Sequence, residues 1–183
     1  MKRILLPLLL LMTCLFLSGC GDDAAEKRFA DFSEELAAKE TLSFTSDMRV
    51  EYADRTLEFT LVYARDAEGQ TITVLKPERI AGIRAHLAPG SNTLEFESLI
   101  LDTGPLDPYG LTPMNALPKL VELLGTGHFD AHWESAGSMV YRLILDDHLS
   151  ASVWFDPSAM IPTHAEIQSD ETVHIFCDLY DWS

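Results

Sequence analysis

From residue 44 to residue 182 the chain keeps changing sides. Phe44, Met48, Val50 and Tyr52 share one parity, against Thr45, Asp47, Arg49 and Glu51 on the other. Apolar and polar residues alternating at period two place one face of a strand in a core and the other in water. Leu57, Phe59, Leu61 and Tyr63 repeat the pattern, and the same reading predicts strands over Thr71–Leu75, Gly82–Leu87 and Thr93–Leu101. After an interruption it resumes over Phe129–Ser135, Met139–Asp146, Ala151–Phe155, Thr163–Gln168 and Val173–Trp182. Short turns such as Asp66-Ala67-Glu68-Gly69, Ala136-Gly137, Asp147-His148 and Asp156-Pro157 separate them, so sequential strands are expected to be antiparallel neighbours. About ten strands in one open sheet tend to curl.

Two segments depart from the alternation. Glu26–Lys39 carries Phe29, Phe32 and Leu36 at helical spacing with charges between them, which predicts an amphipathic helix with a packing face. Asp102–Thr112 is rich in Pro, Gly and Asp and reads as a loop. Thr112-Pro113 then resembles an N-cap followed by proline at the first helical position, with Met114, Leu117, Val121 and Leu124 recurring on one face up to Gly125. Pro118 lies inside this segment and predicts a kink or a restart, because proline donates no hydrogen bond and crowds the preceding turn. The expected fold class is α+β: one curved antiparallel sheet, a half-barrel of about ten strands, with an N-terminal helix and a mid-chain helical insertion covering its concave side. Phe59, Tyr63, Phe96, Trp133, Tyr141 and Phe155 are the large residues expected to line that side, around an apolar ligand or as ordinary core.

Ahead of this body stand Lys2 and Arg3, an apolar run from Ile4 to Leu17, and then Ser18-Gly19-Cys20. Basic and apolar regions in this order form a secretory leader, too short to span a membrane comfortably at about 20 residues. Leu17-Ser18-Gly19-Cys20 resembles the lipobox of bacterial lipoproteins. The resemblance implies cleavage between Gly19 and Cys20 and a diacylglyceryl group on the Cys20 thiol. It divides the chain into a leader (1–19), a lipidated terminus with a short tether (20–25) and one domain (26–183). Without the leader 164 residues remain, and the loss of Lys2 and Arg3 moves the formal charge from −16 to −18. That charge excludes nucleic acid as a partner and docking on anionic headgroups through a basic patch. The membrane contact is then the lipid, on the extracytoplasmic face of the cell membrane, or on an outer membrane where the envelope has two. Cys14 leaves with the leader and Cys20 is acylated, so Cys177 has no partner for a disulfide. On a strand face shared with Val173, Ile175 and Leu179, it is expected to be a buried small hydrophobe.

No nucleotide-binding loop, zinc-protease helix, nucleophile elbow or paired-cysteine metal motif occurs, and no cofactor or catalytic residue is expected. His128, Asp130, His132 and Glu134 share one parity of a strand and are metal-ligand types. With Phe129, Ala131 and Trp133 on the other parity they read more simply as a solvated face. The order helix, five strands, helical insertion, five strands is followed near its end by the stretch Val153–Ile167, with Asp156-Pro157 and Ile161-Pro162. In both respects the chain resembles the half-barrel proteins of the lipoprotein-carrier (LolA/LolB) and RseB-like superfamily. That resemblance implies a non-enzymatic binding module, for a cell-envelope protein or for an apolar ligand such as an acyl chain or lipopeptide. An acceptor of the LolB type is the alternative, and an envelope hydrolase with a site invisible in sequence the weaker one. Similar folds among spore-germination lipoproteins support binding to a protein.

Overall fold

The computed structural model describes residues 21–104, 111–169 and 173–183. Gly19, Cys20 and the leader lie outside the described residues, as do 105–110, within the expected Asp102–Thr112 loop, and 170–172, within an expected turn. The described chain forms helix α1 (Gly21–Ala38), strands β1 (Leu42–Glu51), β2 (Thr56–Arg65), β3 (Gln70–Lys76), β4 (Arg84–Ala88), β5 (Ser91–Phe96) and β6 (Leu99–Asp102), and helix α2 (Pro113–Thr126). Strands β7 (His128–Ser135), β8 (Ser138–Asp146), β9 (Leu149–Phe155), β10 (Pro162–Ser169) and β11 (Val173–Tyr180) follow.

All eleven strands join one open, curved antiparallel sheet in the order β6-β5-β4-β3-β2-β1-β11-β10-β9-β8-β7. The first six walk outward from the middle by hairpins. After α2 the last five begin at the far edge and walk back until β11 pairs with β1, where Met48 faces Cys177 and Val50 faces Ile175. The alternating faces fall as expected: Leu42, Phe44, Met48 and Val50 are buried on one side, while Asp47 and Arg49 are exposed on the other. At the β2–β3 turn the Asp66 carboxylate accepts the backbone N–H groups of Glu68 and Gly69. Gly69 has φ +146° there, and a Cβ would stand 2.6 Å from the Leu87 carbonyl oxygen.

The structure corrects three expectations. Thr93–Leu101 is not one strand. The chain reverses at Glu97-Ser98, with Glu97 at φ 55°, making the β5–β6 hairpin and bringing the count to eleven. Nothing in Glu-Ser marks a turn as Gly or Asn would. Helix α1 is already formed at Gly21, the first described residue, so the expected tether over residues 21–25 is helical. Ala25 lies one turn before Phe29 on the buried stripe, and its small side chain hid the continuation. Finally, of the kink or restart expected at Pro118 the restart does not occur: α2 continues through Pro118 as one helix. The proline costs about 3 kcal/mol. Leu117, Leu120, Leu123 and Leu124 are wholly buried on the same helix, and burial of each contributes about 1.5–3 kcal/mol.

Both helices lie on the concave side. Ser33 of α1 donates to the Gly125 carbonyl of α2 at 2.9 Å, and Arg65 donates to the Leu36 and Lys39 carbonyls, closing the C-terminal end of α1 where a cation is favoured. The Asp-Pro turn singled out in the sequence is where α1 docks. The Asp156 carboxylate accepts the Ser158 hydroxyl and the backbone N–H groups of Ala159 and Ser158, which hold it below the usual carboxylate range. Arg28 donates to the Pro157 carbonyl at 2.8 Å. Beneath it Phe155 meets Phe32 edge-on at 5.0 Å and Tyr141 edge-on at 5.2 Å. Phe155→Ala would leave a cavity under α1. A loss of about 3–5 kcal/mol is expected from urea denaturation followed by near-ultraviolet circular dichroism.

Candidate functional site

Among the described residues the concave face is packed with side chains. Tyr141 and Phe155 are wholly buried and share one aromatic cluster with Phe29 and Phe32 of α1. Tyr63 is wholly buried in a second cluster, stacked on Phe44 at 5.0 Å, with Trp182 stacked on Phe44 at 4.2 Å. Its hydroxyl donates to Gln70 at 2.9 Å, and Trp182 donates through Nε1 to the Pro162 carbonyl. Phe59 is half-buried against the core. Phe96 and Trp133 are exposed on β5 and β7, toward opposite edges of the sheet. The six residues expected to line the concave side therefore do not converge: three are packed core, one is at its margin and two face water. Strand parity shows which residues share a face but not that two helices bring side chains of their own to fill it.

The outer face is organised differently. Trp133, Val140, Trp154, His164, Asp178, Asp47, Thr60 and Lys76 form one unbroken cross-strand row from β7 to β3. The row is apolar at one end and charged at the other, with His164 between. His164 meets Trp154 edge-on at 5.0 Å, and its Nδ1 lies 2.7 Å from an Asp178 carboxylate oxygen. Asp178 and Asp47 are directly opposed, a like-charge juxtaposition that costs stability in a sheet. Thr60 donates to Asp47 at 2.7 Å. Around this charged end lies a groove of about 840 Å³, to which Glu58, Glu78 and Glu166 add carboxylates and Arg49 and Lys76 the cations. Arg49 is already engaged, stacked 4.3 Å over Phe176 and 2.8 Å from Glu51. The described contacts of His164 are two carboxylates and an indole, so the site places no hydroxyl or thiol where the histidine would activate it. This row was invisible in the sequence because His164 and Asp178 are fourteen residues apart and meet only through the β10–β11 register.

The expected parity of the β7 quartet does not hold. A bulge falls between Phe129, opposite Leu143, and Ala131, opposite Arg142. The extra residue, Asp130, approaches Arg142 at 3.5 Å. Beyond it the faces exchange: His132 lies opposite Tyr141 on the concave side, whereas His128 lies opposite Ile144 on the outer side. The two histidines are thereby separated, and no cluster of three or more potential metal ligands occurs among the described residues. Cys177 is buried and free. Burial pushes its thiol up to about 12, against the neighbouring Ser46 hydroxyl, and burial likewise pushes Tyr63 up to about 12, against Arg65.

The sequence matches no protein-family model and no curated protein. Among solved structures it is similar to a LolA superfamily protein from Nitrosomonas europaea, with TM-score 0.52 and 10% identity, covering 86% of this chain and 92% of that one. The fold is LolA-like. A DUF1329 family protein from Desulfovibrio piger has TM-score 0.51 at 9% identity, over 87% of this chain and 91% of that one. An uncharacterized conserved protein from Thermus thermophilus has TM-score 0.51 at 8% identity, over 87% and 86%. At these identities the LolA-like likeness is one of architecture alone.

Two outcomes follow from the site. Asp47→Asn removes the charge opposed to Asp178 while keeping an acceptor for Thr60, and should raise stability by about 0.2–1 kcal/mol at low ionic strength, with the gain fading in high salt. Urea midpoints at two salt concentrations measure it. Cys177 and Tyr63 stay protonated in the fold at pH values where they would ionise in the unfolded chain. The stability tied to them is intact below the ordinary thiol value of 9.0 and lost as pH rises toward about 12. Cys177→Ala should delay that decline until near the ordinary tyrosine value of 10.0, read from urea midpoints between pH 7 and pH 11. The native thiol should not react with a disulfide reagent at pH 8 and should react once unfolded.

Proposed function

We infer that this chain is a non-enzymatic docking lipoprotein, moored by a diacylglyceryl group on Cys20 at the extracytoplasmic face of a membrane, and that it binds a protein of the cell envelope. The observation that carries the reading is the filled concave side. A carrier of acyl chains needs room inside the curl, and here that room holds Tyr63, Tyr141 and Phe155 from the sheet and Leu117, Leu120, Leu123 and Leu124 from α2, all wholly buried. What is left for recognition is the outside: a charged groove on the outer face and exposed aliphatic residues at the β6 edge. The LolA-like fold and the lipobox resemblance both support an envelope setting.

The test uses the full chain, with Cys20 intact, purified in detergent from its membrane. Native mass spectrometry should find the covalent diacylglyceryl mass and no further lipid. Chemical cross-linking in intact cells should join the chain to an envelope protein. Cys20→Ser should abolish palmitate labelling and release the chain from membranes. One non-covalent lipid per chain at stoichiometric occupancy would overturn the docking reading in favour of an apolar-ligand acceptor.

A further inference from the structure

The sheet has two edges, and they are defended unequally. At one end, β7 carries His128, Asp130, His132 and Glu134 and is broken by the bulge at Asp130. Charges and bulges of this kind make an edge strand a poor template for another strand. At the other end, β6 is Leu99-Ile100-Leu101-Asp102, without lysine, arginine, proline or a bulge in its pairing with β5. Leu99, Ile100 and Leu101 are 62%, 67% and 54% exposed. Among the described residues β6 ends the strand order, and its outward backbone groups meet no further described strand.

Register decides what a strand added there would touch. Ile72 lies opposite Ala85, Ala85 opposite Leu94, and Leu94 opposite Leu101. The row begins in the core, where Ile72 is wholly buried, and ends in water at Leu101. Leu99, opposite Phe96, shares that face. On the outer face Ile100 lies opposite Glu95 and Asp102 opposite Thr93. With Glu97 in the turn, the β5–β6 hairpin carries three carboxylates and no cation; Glu95 already lies opposite Arg84 and 3.3 Å from His86 on β4, which leaves Glu97 and Asp102 toward the edge.

We propose that β6 is the docking edge, taking an extended segment of a protein partner as a further strand. Alternate side chains of that segment are apolar and continue the Leu99 and Leu101 face, and lysine or arginine stands near Glu97 and Asp102. The proposal rests on the docking reading above and supplies its surface and chemistry. Main-chain hydrogen bonds to the edge give affinity, and the alternate side chains give specificity. A second copy is the poorer occupant, because it brings the same carboxylates and, without the leader, a formal charge of −18 to the contact. Anionic headgroups meet the same repulsion, whereas a basic segment is drawn in.

The probe is a fluorescein-labelled peptide, Lys-Val-Thr-Val-Thr-Val-Lys, titrated by anisotropy against the detergent-solubilised full chain. Saturable binding is expected. It should weaken at least tenfold when the five residues between the lysines are N-methylated, when glutamates replace the lysines, and in Leu99→Ser/Leu101→Ser, whose thermal midpoint should match the wild type. Glu122→Gln on the exposed side of α2, away from both the edge and the groove, should leave it unchanged. Absence of binding, or indifference to N-methylation or to the β6 substitutions, overturns the proposal. A photo-cross-linking residue in place of Ile100 or of Glu58 separates it from the docking reading. Protein adducts from position 58 alone sink the edge and leave docking intact, and adducts with lipid or with another copy at position 100 also sink the edge. Silence at both positions sinks both.

Discussion

The pairing of β1 with β11 is the contact on which the rest of this molecule depends. Every other strand pair joins neighbours in the chain through a turn, and such pairs close at little entropic cost. Only β1 and β11 bring the two ends of the domain together, through seven consecutive register pairs from Thr45–Tyr180 to Glu51–His174. The tail beyond β11 reinforces it: Ser183 exchanges both backbone hydrogen bonds with Ser43, and Trp182 stacks on Phe44. Without that contact the two meanders, β1–β6 and β7–β11, would each be an open sheet with a bare apolar face. With it they become one curved surface that two helices can cover.

Once the surface is continuous, the helices decide what kind of interior it has. Helix α1 spans from the Asp156 turn, where Arg28 docks, to Arg65 on β2, and α2 lies beside it with four wholly buried leucines. The helix tolerates Pro118 because the burial gained along that face outweighs one missing hydrogen bond. The LolA-like curl is thus compatible with a packed centre, and shape alone does not make a container.

Conflict has been moved to the surface. A sheet optimised only for stability would not oppose Asp47 to Asp178 or leave Leu99, Ile100 and Leu101 in water at an unguarded edge. Places where local rules are broken in an otherwise consistent fold are where binding is to be sought. Here those places lie on the outer face and at one rim, both away from the packed core.

Much of this architecture was legible in the residues, because period-two alternation with Asp- and Gly-containing turns leaves a chain few options besides an antiparallel sheet, and Phe29, Phe32 and Leu36 can share a face only on a helix. The lipobox resemblance is likewise a property of consecutive residues. What parity could not reveal were single-residue events that invert it: the Glu97-Ser98 reversal and the Asp130 bulge, which puts His128 and His132 on opposite faces. Nor could spacing foretell the row through His164, Asp178 and Asp47, whose members meet by register across strands. Sequence determined which side chains face which way along each strand, since that is local geometry. Only the tertiary structure decided whether the concave face would be hollow or full, because filling depends on side-chain volumes delivered by helices from elsewhere in the chain.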